Sequence, residues 1–229
     1  MEHVSPAEPG HPSPPARRLP HRPPPAQRWP ALLACVAVGL AYLALSERLI
    51  VGPRWWVAAA VLACLAPLWL ALRRDQHTWV RRLGLLATGL VSLALAASTA
   101  RLVLELARGR AGALILLSDA ALIWLVNILV FALWYWELDG GGPAARHASG
   151  RPSTDFVFPQ MTYDGPDCRG WRPHFVDYLF LAFNTSTAFS PTDTLVLARR
   201  AKLLMMAQAL IALVVVAVLA ARAINTLGS

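Results

Sequence analysis

Residues 112–136 read GALILLSDAALIWLVNILVFALWYW, and this stretch decides the fold. Its 25 residues carry one acidic or basic side chain, Asp119. As a helix it would extend roughly 37 Å, more than the roughly 30 Å of hydrocarbon in a bilayer. It closes on Trp134, Tyr135 and Trp136, the aromatic composition that sits at a membrane–water interface. The stretch therefore reads as a transmembrane helix.

Working outward, four more runs share its character. They lie at 31–51, with Trp29 at the entry; at 55–72, opening on Trp55 and Trp56; at 83–107; and at 203–221, the most aliphatic. The whole chain of 229 residues is 56% hydrophobic and only 15% charged, with mean hydropathy +0.48. A soluble domain needs about a quarter of its residues charged to cover its surface. The expected fold class is all-α: a polytopic membrane protein of about five transmembrane helices, six if 175–190 also crosses, with one short re-entrant helix. Its parts are a tail at 1–30, a three-helix region at 31–107, and a region at 110–226. The last divides into a helix at 112–136, a polar loop at 137–174, a short helix at 175–188 and a final helix at 200–224.

Ten prolines and Arg17, Arg18, Arg22 and Arg28 fill residues 1–30, with too little apolar surface to offset the entropy of ordering. That tail is expected to be disordered. The net charge of +8 is mostly Arg, clustered beside hydrophobic runs, which points to topology signals and anionic lipid headgroups. No basic face with interleaved aromatics suggests nucleic acid. Cys35, Cys64 and Cys168 form no metal-binding spacing, and the histidines stand in tails or links without an HExxH pattern. Neither an enzyme nor a cofactor is expected.

Between the last two runs the chain changes in kind. ELDGGGP, Glu137 to Pro143, is a helix stop and flexible turn. After a Gly-, Pro- and Asp-rich stretch comes FVDYLFLAFNTSTAFSPTD, Phe175 to Asp193, whose apolar part is too short to cross. From Tyr178 onward this segment resembles the pore helix and filter of the potassium-channel-like two-helix pore module, which carries an aromatic-rich short helix before T-x-T-T-V-G-Y-G-D. Thr185 and Thr187 fall on the first two threonines of that pattern and Asp193 on its final aspartate. Phe189, Ser190, Pro191 and Thr192 replace V-G-Y-G, so the filter is degenerate. Arg199 to Arg222 resembles the inner helix. The chain is also similar to an uncharacterised family of bacterial membrane proteins with a related end to the loop.

The resemblance implies a cation path lined by Thr185, Thr187, Phe189, Ser190, Thr192 and Asp193, a monovalent cation as the permeant species, and assembly as a homo-oligomer, most simply a tetramer. Beside it stands a plainer reading: Ser190 to Asp193 is turn and cap chemistry for the helix that follows. The chain would then be a non-conducting scaffold or regulatory protein.

The distribution of Arg and Lys puts the N-terminus, the 73–82 link and the 137–202 loop in the cytoplasm of the cell. Pore loops of the resembled family enter from outside, so charge and resemblance disagree on sidedness. Asp119, about 10 Å below the start of its run, Asn127 two turns further on, and Arg101 are the candidate intramembrane polar side chains. Arg101 has two expected partners, Glu105 one turn away and Asp119. Such groups serve either an ion or proton relay or interhelical hydrogen bonds that fix packing. Gln208 in the final run belongs to the packing class.

Overall fold

The computed structural model describes residues 29–50, 52–53, 55, 59, 62, 77–109, 112–143, 145–146, 155–163, 165–168, 170–187 and 193–227. The expected disordered tail (save Trp29 and Pro30), most of the run at 55–72, and Phe189, Ser190 and Thr192 lie outside them. Among the described residues there are five α-helices: α1 (Trp29–Ala44), α2 (His77–Arg108), α3 (Ala113–Leu138), α4 (Phe175–Thr187) and α5 (Arg199–Leu227). Three segments are long and apolar enough to cross a membrane: Arg81–Arg108, Leu114–Gly141 and Arg199–Ile224. Apolar side chains such as Leu114, Leu203 and Leu210 stand well exposed on them, the arrangement that lipid contact requires.

The sequence expectation is met for α3, α4 and α5 to within three residues at each end. It needs correcting in three places. Arg81 and Arg82, expected in a link, belong to the opening turns of α2. The run at 31–51 is helical only to Ala44, and residues 45–50 turn without helix. The all-α expectation also omits a small antiparallel ribbon, β1 (Phe156–Val157) on β2 (Leu195–Val196), paired Phe156 with Val196 and Val157 with Leu195.

α3 is the central element. It packs against α1, α2, α4 and α5, and its Leu116, Ala120, Ile123, Val126, Val130 and Tyr135 are all buried. A helix that is hydrophobic all round is suited to such an interior position. α2 runs antiparallel to it: Arg81 lies beside Gly142, and the Trp134 indole N–H donates to Ser92 Oγ at 2.8 Å. α5 is antiparallel as well, with Arg200 at Leu138 and Gln208 at Asn127.

α3 ends in a turn that only glycine makes cheaply. Gly140, Gly141 and Gly142 have φ of 56°, 85° and 95°, a region side chains with a Cβ enter at a cost. At Gly142 a Cβ would also stand 3.0 Å from the Glu137 carbonyl oxygen and 3.3 Å from Arg81 Nε. Gly142→Ala is therefore expected to destabilise the protein by about 2 kcal/mol. The helical Gly84, with nothing within 4 Å of its Cβ position, is the control. Gly84→Ala should be neutral or stabilising by up to about 1 kcal/mol. Unfolding both variants by SDS titration in mixed micelles checks the contrast.

Candidate functional site

The short helix α4 lies antiparallel to α3 and reaches deep along it. Phe175 and Tyr178, in its first turn, pack edge-on against Trp136. Ser186, in its last turn, meets Asn127 and the Trp124 indole. Asn127 stands at the midpoint of the apolar segment Leu114–Gly141. Eight residues after α4 ends, Leu195 pairs with Val157, and Arg200 binds the Leu138 carbonyl at 3.2 Å. The chain from 175 to 200 thus enters and leaves at one end of α3, and its helix reaches the middle.

A buried polar cluster holds that deep end. Gln208 Nε2 donates to the Ala182 carbonyl and to Ser186 Oγ, each at 2.7 Å, and Gln208 Oε1 accepts from the Tyr135 hydroxyl at 2.5 Å. Asn127 Nδ2 donates to Ser186 Oγ and to the Gln208 carbonyl, both at 3.3 Å. Three helices, α3, α4 and α5, are tied in one buried place, where an unmade bond is costly.

A second network fixes the shallow end. Asp139 is fully buried; its carboxylate accepts from the Tyr178 hydroxyl and from the Asp155 backbone N–H at 3.0 Å. Arg146 donates to the carbonyls of Trp136 and Asp139, and its guanidinium lies 4.8 Å from the Trp136 ring centroid and 5.3 Å from that of Tyr178. Asp155 receives Arg200 through Nε at 3.0 Å and Nη2 at 2.6 Å. Burial pushes the Tyr178 phenol well above its ordinary value; the Arg146 charge opposes this, while the Asp139 carboxylate and its hydrogen bond add to it, as does Asp177. Tyr178 therefore stays a protonated donor to Asp139. Phe156, Phe158 and Trp171 close an aromatic cluster around it.

A third polar site stands toward the opposite end of α3. The chain leaves helical geometry after Ala44 because Ser46 has a better acceptor than its own helix: Asp119 takes its N–H at 3.0 Å and its hydroxyl at 2.6 Å. Arg101 donates to the Ile50 carbonyl at 2.7 Å, and Ser98 to the Leu49 carbonyl at 2.9 Å. Irregular backbone at membrane depth is tolerated when other protein groups satisfy it, as these do. Arg101 meets neither expected partner: Glu105 pairs with Arg108 at 3.1 Å. Removing both acceptors in Asp119→Ala is expected to cost about 3 kcal/mol, and Asp119→Asn, which keeps one, about 1 kcal/mol. Equilibrium unfolding in detergent, read by tryptophan fluorescence, gives both numbers.

Of the residues expected to line an ion path, Thr185 and Thr187 sit in the last turns of α4, where their hydroxyls donate back to the carbonyls of Leu181 and Asn184. Asp193 is exposed in the turn before β2. Asn127 joins the deep cluster; Asp119 and Arg101 belong to the site that caps residues 45–50. Sequence reasoning missed Tyr135, Ser186, Asp139, Arg146, Asp155 and Tyr178. No group of three or more His, Cys, Asp or Glu able to hold a metal ion occurs among the described residues. No family model, curated protein or solved structure matches the chain.

Proposed function

We propose that residues 113–227 form a pore-loop module: α3 as outer helix, α4 as a short re-entrant helix, Thr185 to Asp193 as a degenerate filter, and α5 as inner helix. The observation that carries this is the hairpin course of 175–200, which starts and finishes at one end of α3 and puts the last turn of α4 at mid-span. A short helix whose last turn lies halfway through a bilayer is the approach that an ion-coordinating loop requires. Back-bonded Thr185 and Thr187 keep lone pairs on their hydroxyls for a cation. Without the glycines that let filter carbonyls converge, strict potassium selectivity is not expected; the permeant class is monovalent cations.

One chain supplies one wall of such a path, so the reading includes a homo-oligomer, most simply a tetramer. The pattern on α5 is consistent with it. Ala201, Gln208, Ala212, Val215 and Val218 make a buried face, while Leu203, Met206, Leu210 and Leu213 on the opposite face are exposed and available to lipid or a second subunit.

The second reading, a non-conducting scaffold, is favoured by how completely 139–200 is knitted to the helix ends through Asp139, Asp155, Tyr178 and Arg200. Flux from liposomes holding the purified full chain separates the two. Cation release above that of empty vesicles supports the pore, and release equal to empty vesicles for every common monovalent cation overturns it. Sidedness is tested with Cys168, half-buried in the loop, after Cys35 and Cys64 are changed to Ala. An impermeant maleimide that labels it in intact cells puts the loop outside, as a pore loop of the resembled family requires. Labelling only after permeabilisation agrees with the charge count.

A further inference from the structure

We propose that the outward face of β2, Leu195 and Leu197, is an interfacial anchor that inserts into lipid at the boundary between headgroups and acyl chains. Residues 193–199 read DTLVLAR, and exposure alternates along them. Thr194, Val196 and Ala198 are half-buried, and Val196 and Ala198 pack against the core. Asp193, Leu195, Leu197 and Arg199 are exposed, the two leucines by 59% and 58%. An antiparallel strand with one face on the core ordinarily carries polar side chains on the other. Here the second face is apolar at its centre and charged at both ends. Val157, paired with Leu195, adds a third apolar side chain to it. Such a face fits a medium that meets apolar and charged groups within a few residues of each other, as the membrane interface does.

The depth of the ribbon agrees with that layer. Phe156, which pairs with Val196, meets the Tyr135 ring at a centroid distance of 5.4 Å. Tyr135 stands six residues, roughly 9 Å, before the end of the apolar segment Leu114–Gly141. That segment of 28 residues runs roughly 42 Å, about 12 Å more than the hydrocarbon of a bilayer. Centred in the membrane, it puts Gly141 roughly 6 Å outside the hydrocarbon and Tyr135 roughly 3 Å within its edge. The ribbon is level with that edge. It cannot lie deeper, because each strand has a single neighbour among the described residues, and open strand edges need water or headgroups. A protein partner suits the patch less well. Val157, Leu195 and Leu197 make up a small part of the roughly 800 Å² that each side of a standard protein interface buries. The charges around the patch are compatible with lipid. Asp155, whose carbonyl accepts the Leu197 N–H at 2.9 Å, is buried and holds Arg200. Arg199 and Lys202, exposed at the start of α5, can keep their charges among headgroups while their stems lie along the apolar layer. Seated in this way, β2 sets the depth at which α5 begins.

The test uses the full chain in phosphatidylcholine liposomes, with Cys35, Cys64 and Cys168 changed to Ala and a nitroxide label attached at Leu195→Cys or Leu197→Cys. Collisions of the label with oxygen, which concentrates in lipid, are compared with those of a water-soluble nickel chelate. Both replaced side chains are exposed, so each labelled protein should keep the unfolding midpoint of its unlabelled parent in detergent. Oxygen collisions should exceed nickel collisions several-fold at both positions. Nickel-dominated collisions at either position overturn the proposal, because the face would then stand in water. Low collision rates with both reagents also overturn it, since a second copy of the chain would then cover the face. None of these outcomes depends on whether the protein conducts.

Discussion

Asp139→Ala is expected to lower stability by about 3–5 kcal/mol, because it removes a buried carboxylate bonded to the Tyr178 hydroxyl, over whose ring the buried Arg146 guanidinium lies. The same change strips the Tyr178 hydroxyl and the Asp155 N–H of their acceptor, so the ribbon and the start of α4 lose their common anchor. Asp139→Asn keeps an acceptor and removes the charge, and should fall between alanine and wild type. Tyr178→Phe removes one charge-assisted bond while leaving the ring in its aromatic cluster, a loss of about 1.5–3 kcal/mol. SDS titration gives the order of the three. Limited trypsin digestion gives a local reading, because Arg146 is buried in the wild type and should become cleavable when the anchor goes. An Asp139→Ala protein within about 1 kcal/mol of wild type would show that the loop is held by ring packing instead of by this charge.

The same aspartate shows where the sequence stops being readable. ELDGGGP announces a helix end, and a carboxylate there reads as solvated. Its burial depends on partners 7, 16 and 39 residues away, at Arg146, Asp155 and Tyr178. The positive-φ turn at Gly140 to Gly142 brings them back onto α3, and no periodicity encodes that return. The two-residue strands β1 and β2 are likewise too short to display an alternating pattern. By contrast α3 and α5 are legible to within a few residues, since roughly 20 apolar residues in a row have one stable solution in a bilayer. α4 was legible too, from an apolar stretch bounded on both sides by polar turn residues.

Hydropathy misleads at the end of α1 for a different reason. Leu45, Leu49 and Ile50 are apolar and buried, so the run looks continuous, yet the helix has stopped. What ends it is Asp119, 73 residues away, which takes both donors of Ser46. An intramembrane carboxylate needs a partner, and here the partner is a backbone break that the sequence does not display. Arg101 follows the same logic with the Ile50 carbonyl.

Gln208→Leu should have the largest effect on α4, since one side chain ties α5 to α3 and α4. It makes three bonds, to the Tyr135 hydroxyl, the Ala182 carbonyl and Ser186 Oγ. Interhelical bonds in membranes are worth about 0.6 kcal/mol each on average, and a stranded Tyr135 hydroxyl adds about 1–3 kcal/mol, so the expected loss is about 3 kcal/mol. A double-mutant cycle separates the two parts. Tyr135→Phe in the Gln208→Leu background removes the stranded hydroxyl, so the double variant should be more stable than Gln208→Leu alone, with a coupling of about 1–2 kcal/mol. Strict additivity would mean that the two side chains do not act as a pair. The positional consequence is read from an engineered Thr187→Cys, one residue beyond Ser186. If the cluster is what holds the deep end of α4, its reactivity toward a water-soluble maleimide should rise on adding Gln208→Leu and stay unchanged on adding Leu210→Ala, which alters an exposed side chain of the same helix. Equal reactivity in all three proteins would leave α4 held by apolar packing alone. Midspan hydrogen bonding would then be a matter of stability and have no part in positioning the last turn of α4.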